Sequence, residues 1–168
     1  RFSMELGGNA PVIVTPSADL SAAAAHVIGN KMRCAGQTCV APQRAFVHRS
    51  VYREFLALCT EIASGAKCGT LDEPANTGPL SDEAAVTRME SLVSDAVEKG
   101  ASVACGGTRA ADKTSGFYFL PTILTGVTTD MRVFREEVFG PILALLPYDT
   151  EEEAVRMAND TEYGLSSY

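Results

Sequence analysis

The sequence predicts an α/β fold in which a largely parallel sheet is flanked by helices. Short β-branched or apolar runs alternate with longer stretches of helical periodicity along the 168 residues. This alternation is typical of parallel sheets, because the chain crosses over, usually through a helix, before it forms the next parallel strand. The apolar content of 46% is enough for one core, and no repeat or internal linker divides the chain.

The first half of the chain is predicted to alternate two strands and two helices. Residues 12–15 form a β-branched run between two prolines, which indicates a buried strand. An alanine-rich stretch that begins at residue 20 predicts a helix that ends near Gly36. Residues 44–49 alternate as a strand, and Ser50 is the expected N-cap of the helix that follows.

The second half of the chain is predicted to contain two more helices and three more strands. A loop rich in Gly, Pro, Asn and Asp over residues 65–79 comes first. The following segments are then expected: a helix over 81–99, strands over 101–105, 116–125 and 142–146, and a helix from a capping box at Thr150 to about Asn159. The predicted order is strand, helix, strand, helix, helix, strand, strand, strand, helix.

Charge and hydropathy restrict the class of partner. The net charge of −7, from 14 basic and 21 acidic residues, argues against nucleic-acid binding, because a phosphate backbone needs a basic face. The apolar stretches are much shorter than the roughly 20 residues that a membrane helix requires. No secretory leader pattern opens the sequence. We therefore expect a small-molecule or protein partner, no nucleic acid and no membrane. The expected location is the cytoplasm or, if a transit peptide precedes the chain, the mitochondrial matrix.

The cysteines indicate reduced thiols. There are five, an odd number without a regular spacing, which argues against a disulfide framework. No Cys-x2-Cys pair occurs and the two histidines stand apart, so we expect no metal site. Cys34 and Cys39 are close in sequence, but they flank a predicted helix end, and the strict geometry of a disulfide argues against a bond between them.

Three short motifs place a reactive or charged side chain beside glycine, where the backbone can approach a ligand closely. Glu5 opens ELGGN, Cys39 ends GQTC and Glu137 lies in EEVFGP. Cys39 is either a buried structural thiol or a nucleophile, and Glu5 is either a solvated loop acid or its base. Glu137 is either an exposed loop acid or an acceptor for two ribose hydroxyls, with Phe139 packed on an adjacent ring. These residues alone leave the alternatives open.

Taken together, the motifs resemble those of a known family. The segments MELGGNAPVIV, GQTCVAPQRAFVHRSVY, TGPL and REEVFGPILALLPYDTEEEAVRMANDTEYGLSS follow the order of the NAD(P)-dependent aldehyde dehydrogenase superfamily. The resemblance implies that Cys39 attacks the aldehyde carbon to give a thiohemiacetal, and that a hydride then passes to the nicotinamide. It also implies that Glu5 activates the water that hydrolyses the thioester, with the Cys39 N–H as an oxyanion donor.

The resemblance further implies a site for NAD or NADP. Glu137 matches the glutamate that binds the nicotinamide ribose, Phe139 matches the aromatic residue that packs nearby, and Leu6 and Gly7 match backbone that lines the nicotinamide pocket. The family's Rossmann half should precede this chain, and a further stretch should follow it. We therefore expect residues 1–168 to be the thiol-bearing catalytic domain, incomplete at both ends and inactive alone, from a parent that forms dimers or tetramers.

Within the superfamily, ELGGNAP and GQTCV are most similar to succinate-semialdehyde dehydrogenases. Arg33 matches the arginine that binds the distal carboxylate of the substrate, a task that suits the guanidinium fork. The alternative is a surface arginine that complements a helix C-terminus. Ala41 departs from many of these enzymes, which carry a second cysteine there. The favoured function is oxidation of a semialdehyde such as succinate semialdehyde. The alternatives are a general aliphatic aldehyde dehydrogenase and a non-catalytic binding or assembly domain.

Overall fold

A five-stranded sheet forms the centre of the protein. The computed structural model describes residues 1–4, 6–70, 72, 75–113 and 115–168. The strands are β1 (Ala10–Val14), β2 (Pro42–His48), β3 (Ser102–Cys105), β4 (Thr122–Thr125) and β5 (Ile142–Tyr148). The helices are α1 (Leu20–Met32), α2 (Tyr52–Gly65), α3 (Glu83–Glu98), α4 (Arg132–Arg135) and α5 (Glu151–Asn159), and a 3-10 turn spans Arg33–Gly36.

The sheet is mostly parallel, with the strand order β1-β2-β5-β4-β3. The pairs β1 with β2, β2 with β5 and β5 with β4 are parallel, whereas β3 is antiparallel to β4. The predicted fold, a largely parallel sheet flanked by helices, is confirmed. Because β1, β2 and β5 run in the same direction, the segments that lead into them lie at the same edge of the sheet.

Helices cover both faces of the sheet, because successive side chains of a strand point to opposite sides. Ala45 and Val47 of β2 pack in an apolar cluster with residues of α1 and α2. Phe46, between them in sequence, packs in a second cluster with residues of α3, α4 and α5. Its ring meets that of Phe134 edge to face, with 6.3 Å between the centroids. The strand β2 is therefore buried on both faces, which fixes its position firmly.

The first helix ends earlier than predicted. The sequence predicts an end near Gly36, but α1 ends at Met32 and the 3-10 turn follows. Inside that turn, Cys34 and Ala35 have φ angles of 51° and 56°, in the left-handed region that a right-handed helix cannot contain. This change of backbone conformation directly precedes the GQTC motif.

Two other differences concern a cap and the shortest elements. The prediction that Ser50 caps α2 is wrong: Val51 occupies the N-cap position without a side-chain cap bond. The Ser50 hydroxyl instead lies 2.8 Å from Nδ1 of His48. The strand predicted over 116–125 is confined to β4, and α4 was not predicted because four residues are too few to show a helical period. Thr150 is confirmed as the N-cap of α5, since its hydroxyl accepts from the N–H of Glu153, but the Glu153 carboxylate accepts from the N–H of Asp149, so the box is not closed on Thr150 itself.

Two findings concern possible membrane and metal sites. Within the described part of the chain, no helix combines the length and the apolar character needed to cross a bilayer. Over the same residues, no three His, Cys, Asp or Glu side chains are grouped so that they could hold a metal ion.

Candidate active site

The three glycine-containing motifs lie at one edge of the sheet. Residues 6–9 lead into β1, residues 36–41 lead into β2, and residues 136–141 lead into β5. These strands are neighbours and parallel, so their amino-terminal ends are side by side. The topology therefore brings together three segments that are far apart in the sequence.

Cys39 lies in a tight turn at the entrance to β2. The N–H of Ala41 donates to the carbonyl of Thr38 at 3.1 Å, which closes the turn around Cys39. The cysteine is half-buried. Next to it, the side-chain Oε1 of Gln37 accepts a hydrogen bond of 2.9 Å from the N–H of Ser81, just before α3. The turn is thus held by its own backbone and by the segment that begins α3.

A left-handed stretch of backbone precedes this turn. Cys34 and Ala35 have positive φ angles, and Gly36 follows with a φ of 73°. A Cβ on Gly36 would lie 2.1 Å from the carbonyl oxygen of Gly140, so only glycine allows this approach. Left-handed conformations at residues other than glycine cost about 1–3 kcal/mol each and are often found at functional sites. Through Gly36, this stretch brings the GQTC motif into contact with the segment 136–141.

Gly8 is the residue through which the three motifs make contact. Its N–H donates to Oε1 of Glu137 at 2.8 Å. Its carbonyl lies 3.5 Å from the Nε2 donor of Gln43. A Cβ at this position would lie 2.1 Å from the carbonyl oxygen of Cys39, so the glycine backbone packs directly on the thiol turn. The absence of a side chain at residue 8 allows the thiol turn and the carboxylate of Glu137 to share one neighbour.

The carboxylate of Glu137 has one oxygen fixed and one available. Oε1 is bound by the N–H of Gly8, whereas Oε2 accepts no hydrogen bond from the described residues. A Cβ on Gly7 would lie only 2.5 Å from Oε2, so Gly7 leaves the space that the carboxylate occupies. The backbone carbonyl of Glu137 accepts a hydrogen bond of 2.7 Å from Nη2 of Arg88. Glu137 is therefore held through its backbone carbonyl and through Oε1, and Oε2 can accept a hydrogen bond from a ligand.

Phe139 is held in a strained conformation with its ring partly exposed. Its φ of 50° is uncommon for a bulky residue, and the residue is 42% exposed. The neighbouring Val138 is fully buried, and its N–H donates to Oε1 of Gln43 at 3.0 Å. This anchoring maintains the strained backbone. The exposed ring offers an apolar surface two residues from the carboxylate of Glu137.

The five thiols differ in their environments, and all are free. Burial raises the pKa of Cys59 to about 12 and also raises the pKa of Cys68 and of Cys105. Such thiols are poor nucleophiles at neutral pH, because the thiolate is the reactive form. Cys34 is exposed and Cys39 is half-buried, so these two are the candidates for a reactive thiol. Only Cys39 lies beside the Gly8 backbone.

The remaining predicted site residues are less closely connected. Arg33 is exposed at the C-cap of α1, and Leu6 is 66% exposed. Glu5 lies outside the described residues. The roles assigned to Cys39, Glu137 and these residues stay predictions, although the structure brings Cys39, Gly7 and Glu137 together around Gly8.

A group of buried polar residues supports the site and was not predicted. Nη2 of Arg44 donates to the carbonyls of Asn9 at 2.9 Å and Ala158 at 3.1 Å. The side chain of Asn9 donates to the carbonyl of Phe134 at 2.9 Å. Burial lowers the pKa of Arg44 to about 10, which leaves it charged at neutral pH. One feature of the sequence could have indicated these buried polar residues: Gln43 and Arg44 are adjacent in a strand that is otherwise mostly apolar.

Comparison with known proteins identifies the family. The profile described as "Aldehyde dehydrogenase family" matches residues 1–168. The chain belongs to the aldehyde dehydrogenase family. It is 43% identical to the mitochondrial succinate-semialdehyde dehydrogenase of Oryza sativa subsp. japonica and 46% identical to the 3-sulfolactaldehyde dehydrogenase of Pseudomonas putida, in each case over 169 aligned residues that cover 100% of this chain. The crystal structure of succinate-semialdehyde dehydrogenase from Burkholderia pseudomallei matches 99% of the chain with a TM-score of 0.93 and 49% identity.

The chain spans about a third of the length of these aldehyde dehydrogenases. The matched region is 32% of the rice protein, 34% of the P. putida protein and 34% of the B. pseudomallei chain. The resemblance inferred from the motifs is therefore confirmed at the level of the family. The matches to succinate-semialdehyde dehydrogenases confirm that this group is among the similar proteins.

The variant Gln43→Met tests whether the buried amide fixes the segments that contain Gly8 and Val138. Methionine keeps the volume but removes the acceptor for the Val138 N–H and the donor to the Gly8 carbonyl. A buried polar group left without a partner costs about 1–3 kcal/mol. For this variant, we expect a lower melting temperature in calorimetry and, if the site binds NAD(P)+ as the motifs predict, a higher KM for that cofactor. An unchanged melting temperature together with an unchanged KM would contradict this role.

Proposed function

We propose that this chain is the thiol-bearing segment of an NAD(P)-dependent aldehyde dehydrogenase that oxidises an aldehyde to a carboxylic acid. The observation that carries the proposal is the contact of Gly8 with both the Cys39 turn and the Glu137 carboxylate. A nucleophile and a ribose-binding acid must act on neighbouring parts of one complex. Because Gly8 contacts both the Cys39 turn and the Glu137 carboxylate, the structure supports these two roles for Cys39 and Glu137.

The residues of the site fit a nicotinamide cofactor. Glu137 has an oxygen that accepts no bond from the described residues and suits a ribose hydroxyl. Phe139 offers a partly exposed ring for packing on the cofactor, and Leu6 and Gly7 offer backbone beside the same carboxylate. When bound, NAD(P)+ supplies the hydride acceptor. The choice between NAD and NADP rests with residues that bind the adenine ribose.

The proposed reaction has two stages at Cys39. The thiolate forms a C–S bond to the aldehyde carbon, and the π electrons of the carbonyl move to its oxygen. When the C=O bond re-forms, a hydride leaves that carbon for bound NAD(P)+, and a thioester remains on Cys39. Glu5 then removes a proton from water, whose oxygen attacks the thioester carbon and expels the thiolate. Aldehyde, water and NAD(P)+ are consumed, and the acid, NAD(P)H and a proton are produced.

We further propose a semialdehyde with an acidic tail as the substrate. Two of the similar proteins are named for aldehydes of this kind, succinate semialdehyde and 3-sulfolactaldehyde. The exposed guanidinium of Arg33, six residues before Cys39, is the group proposed to bind the acidic tail. If Arg33 only complements the end of α1, a general aliphatic aldehyde is the substrate.

The size, assembly and location of the enzyme are also part of this proposal. We propose that it belongs to a longer, homo-oligomeric enzyme and that the segment alone is inactive, because the groups that bind the rest of the cofactor lie elsewhere. Five free thiols suit the cytoplasm or the mitochondrial matrix, where cysteines stay reduced. The alternative, a non-catalytic domain that keeps the fold, predicts no oxidation by the full-length protein.

Cys39→Ala tests the assigned nucleophile. In the full-length protein, we expect aldehyde-dependent NAD(P)H formation to fall by roughly 10³-fold or more, because the covalent route is lost. The matched control is Cys34→Ala, which removes a thiol five residues away that lies outside the closed turn. It should retain activity within about twofold of the wild type, since a surface substitution changes little.

The outcomes of this comparison are distinct. A fully active Cys39→Ala variant would remove the nucleophile assignment. Equal losses in both variants would point to a general effect of disturbing residues 34–39. A wild-type full-length protein that oxidises none of succinate semialdehyde, propanal and octanal would favour the non-catalytic domain.

Arg33→Ala tests the nature of the substrate. We expect KM to rise roughly tenfold or more for succinate semialdehyde and to change little for propanal, because only the former loses a charge-assisted pair. Arg53→Ala on α2, also an exposed arginine, should leave both KM values unchanged. Equal changes for the two aldehydes in Arg33→Ala would exclude a role in binding the acidic tail.

A further inference from the structure

Lys31 is a buried lysine without a hydrogen-bond partner. It lies in the last turn of α1 and has no exposed surface. Its Nζ makes no hydrogen bond to any residue that the structure describes. An ammonium group in such a place is costly, since no acceptor among the described residues replaces its hydration. No step of the proposed reaction uses this residue.

The end of α1 that carries Lys31 lies beside the segment that carries Glu137. A Cβ on Gly36 would lie 3.2 Å from the carbonyl oxygen of Lys31 and 2.1 Å from that of Gly140, so the two backbones meet at this glycine. Burial lowers the pKa of Lys31 to about 7, and attraction to Glu137 opposes this effect.

We propose that Lys31 is a positioning residue for cofactor binding, whose buried ammonium holds the Glu137 carboxylate with Oε1 on the Gly8 N–H and Oε2 free for a ribose hydroxyl. The inference rests on the proposed function, because it assumes that Glu137 binds the ribose. Lys31 itself touches neither cofactor nor substrate. It acts through the electric field, which is strong and weakly screened in a buried site.

The charge of Lys31 changes in the neutral pH range. The ammonium dominates below a pKa of about 7 and the neutral amine dominates above it. The hold on Glu137 should therefore weaken as the pH rises through 7. The ionisable groups near this carboxylate include Arg88, bonded to the Glu137 backbone, and Tyr163, near Gly7, while Cys39 lies against Gly8. The neighbouring Glu136 is paired with Arg88 and Arg132. Cys39 can be removed by substitution.

The test is NAD(P)+ affinity in the full-length protein with Cys39→Ala as background, which removes both turnover and that thiol. Lys31→Met replaces the amine with a neutral chain of similar length. At pH 6.5, we expect the Kd measured by calorimetry to rise roughly fivefold or more, as expected for loss of a buried favourable charge. Lys67→Met, the same substitution at an exposed lysine, should leave the Kd unchanged.

The pH profile gives a readout that a purely structural role would not change. In the background protein, Kd should rise between pH 6 and pH 8.5 as Lys31 loses its proton, whereas in Lys31→Met the step should be absent. The step should also be absent in Glu137→Gln, because this variant keeps Lys31 but removes the carboxylate on which it is proposed to act. Adding Lys31→Met to Glu137→Gln should produce no further loss, because the amine then has no carboxylate to hold.

Several results would overturn the inference. These are an unchanged Kd in Lys31→Met, a pH step that survives in Lys31→Met or in Glu137→Gln, or an equal loss from Lys31→Met in the presence and absence of the Glu137 carboxylate. Any of them, with normal cofactor binding by the wild type, would leave the proposed function intact. A wild type that binds neither NAD+ nor NADP+ would instead contradict the proposed function and this inference together.

Discussion

The site depends on the close approach of the Gly8 backbone to the turn that contains Cys39. With no side chain at residue 8, its backbone rests on the carbonyl of Cys39, donates to Glu137 and lies within 3.5 Å of the Gln43 amide. Any side chain would separate these elements. The parallel arrangement of β1, β2 and β5 makes the approach possible, because it places the entrances to the three strands side by side. Geometry at one glycine thus joins the proposed nucleophile to the proposed cofactor-binding acid.

Buried polar groups give this arrangement its precision. Gln43 and Arg44 stand at the start of β2, where apolar side chains would be less costly to bury. Their amide and guanidinium bind backbone groups of the segments before β1 and β5, and of the end of α5. Such bonds have narrow geometric limits, so they fix loops that apolar packing alone would allow to shift. The positive φ of Phe139 is maintained in this way, between anchored neighbours.

Much of the fold could be predicted because it follows from periodicity. The alternation of strands and helices predicted the parallel sheet, and the acidic residues after Thr150 predicted correctly that Thr150 is the N-cap of α5. The cap at Ser50 failed because its hydroxyl has a competing partner, His48, that only the folded backbone brings within reach. Of the site, the motifs indicated the candidate residues Cys39 and Glu137, which the structure places on either side of Gly8. The pair Gln43-Arg44 in an apolar strand indicates buried polar groups, but their partners could not be predicted, because Gly8, Asn9, Val138 and Ala158 are far from them in the sequence.

The most direct test of this account is Gly8→Ala in the full-length protein, measured as kcat/KM for the aldehyde and for NAD(P)+. The new Cβ would meet the Cys39 carbonyl oxygen at 2.1 Å, so the thiol turn or the Glu137 contact must shift. A shift of this order can cost about 100-fold in rate, and we expect at least that loss with an unchanged circular dichroism spectrum. Gly29→Ala, where a Cβ meets nothing within 4 Å, is the control and should behave as the wild type. Wild-type kinetics in Gly8→Ala would contradict the central role of this contact.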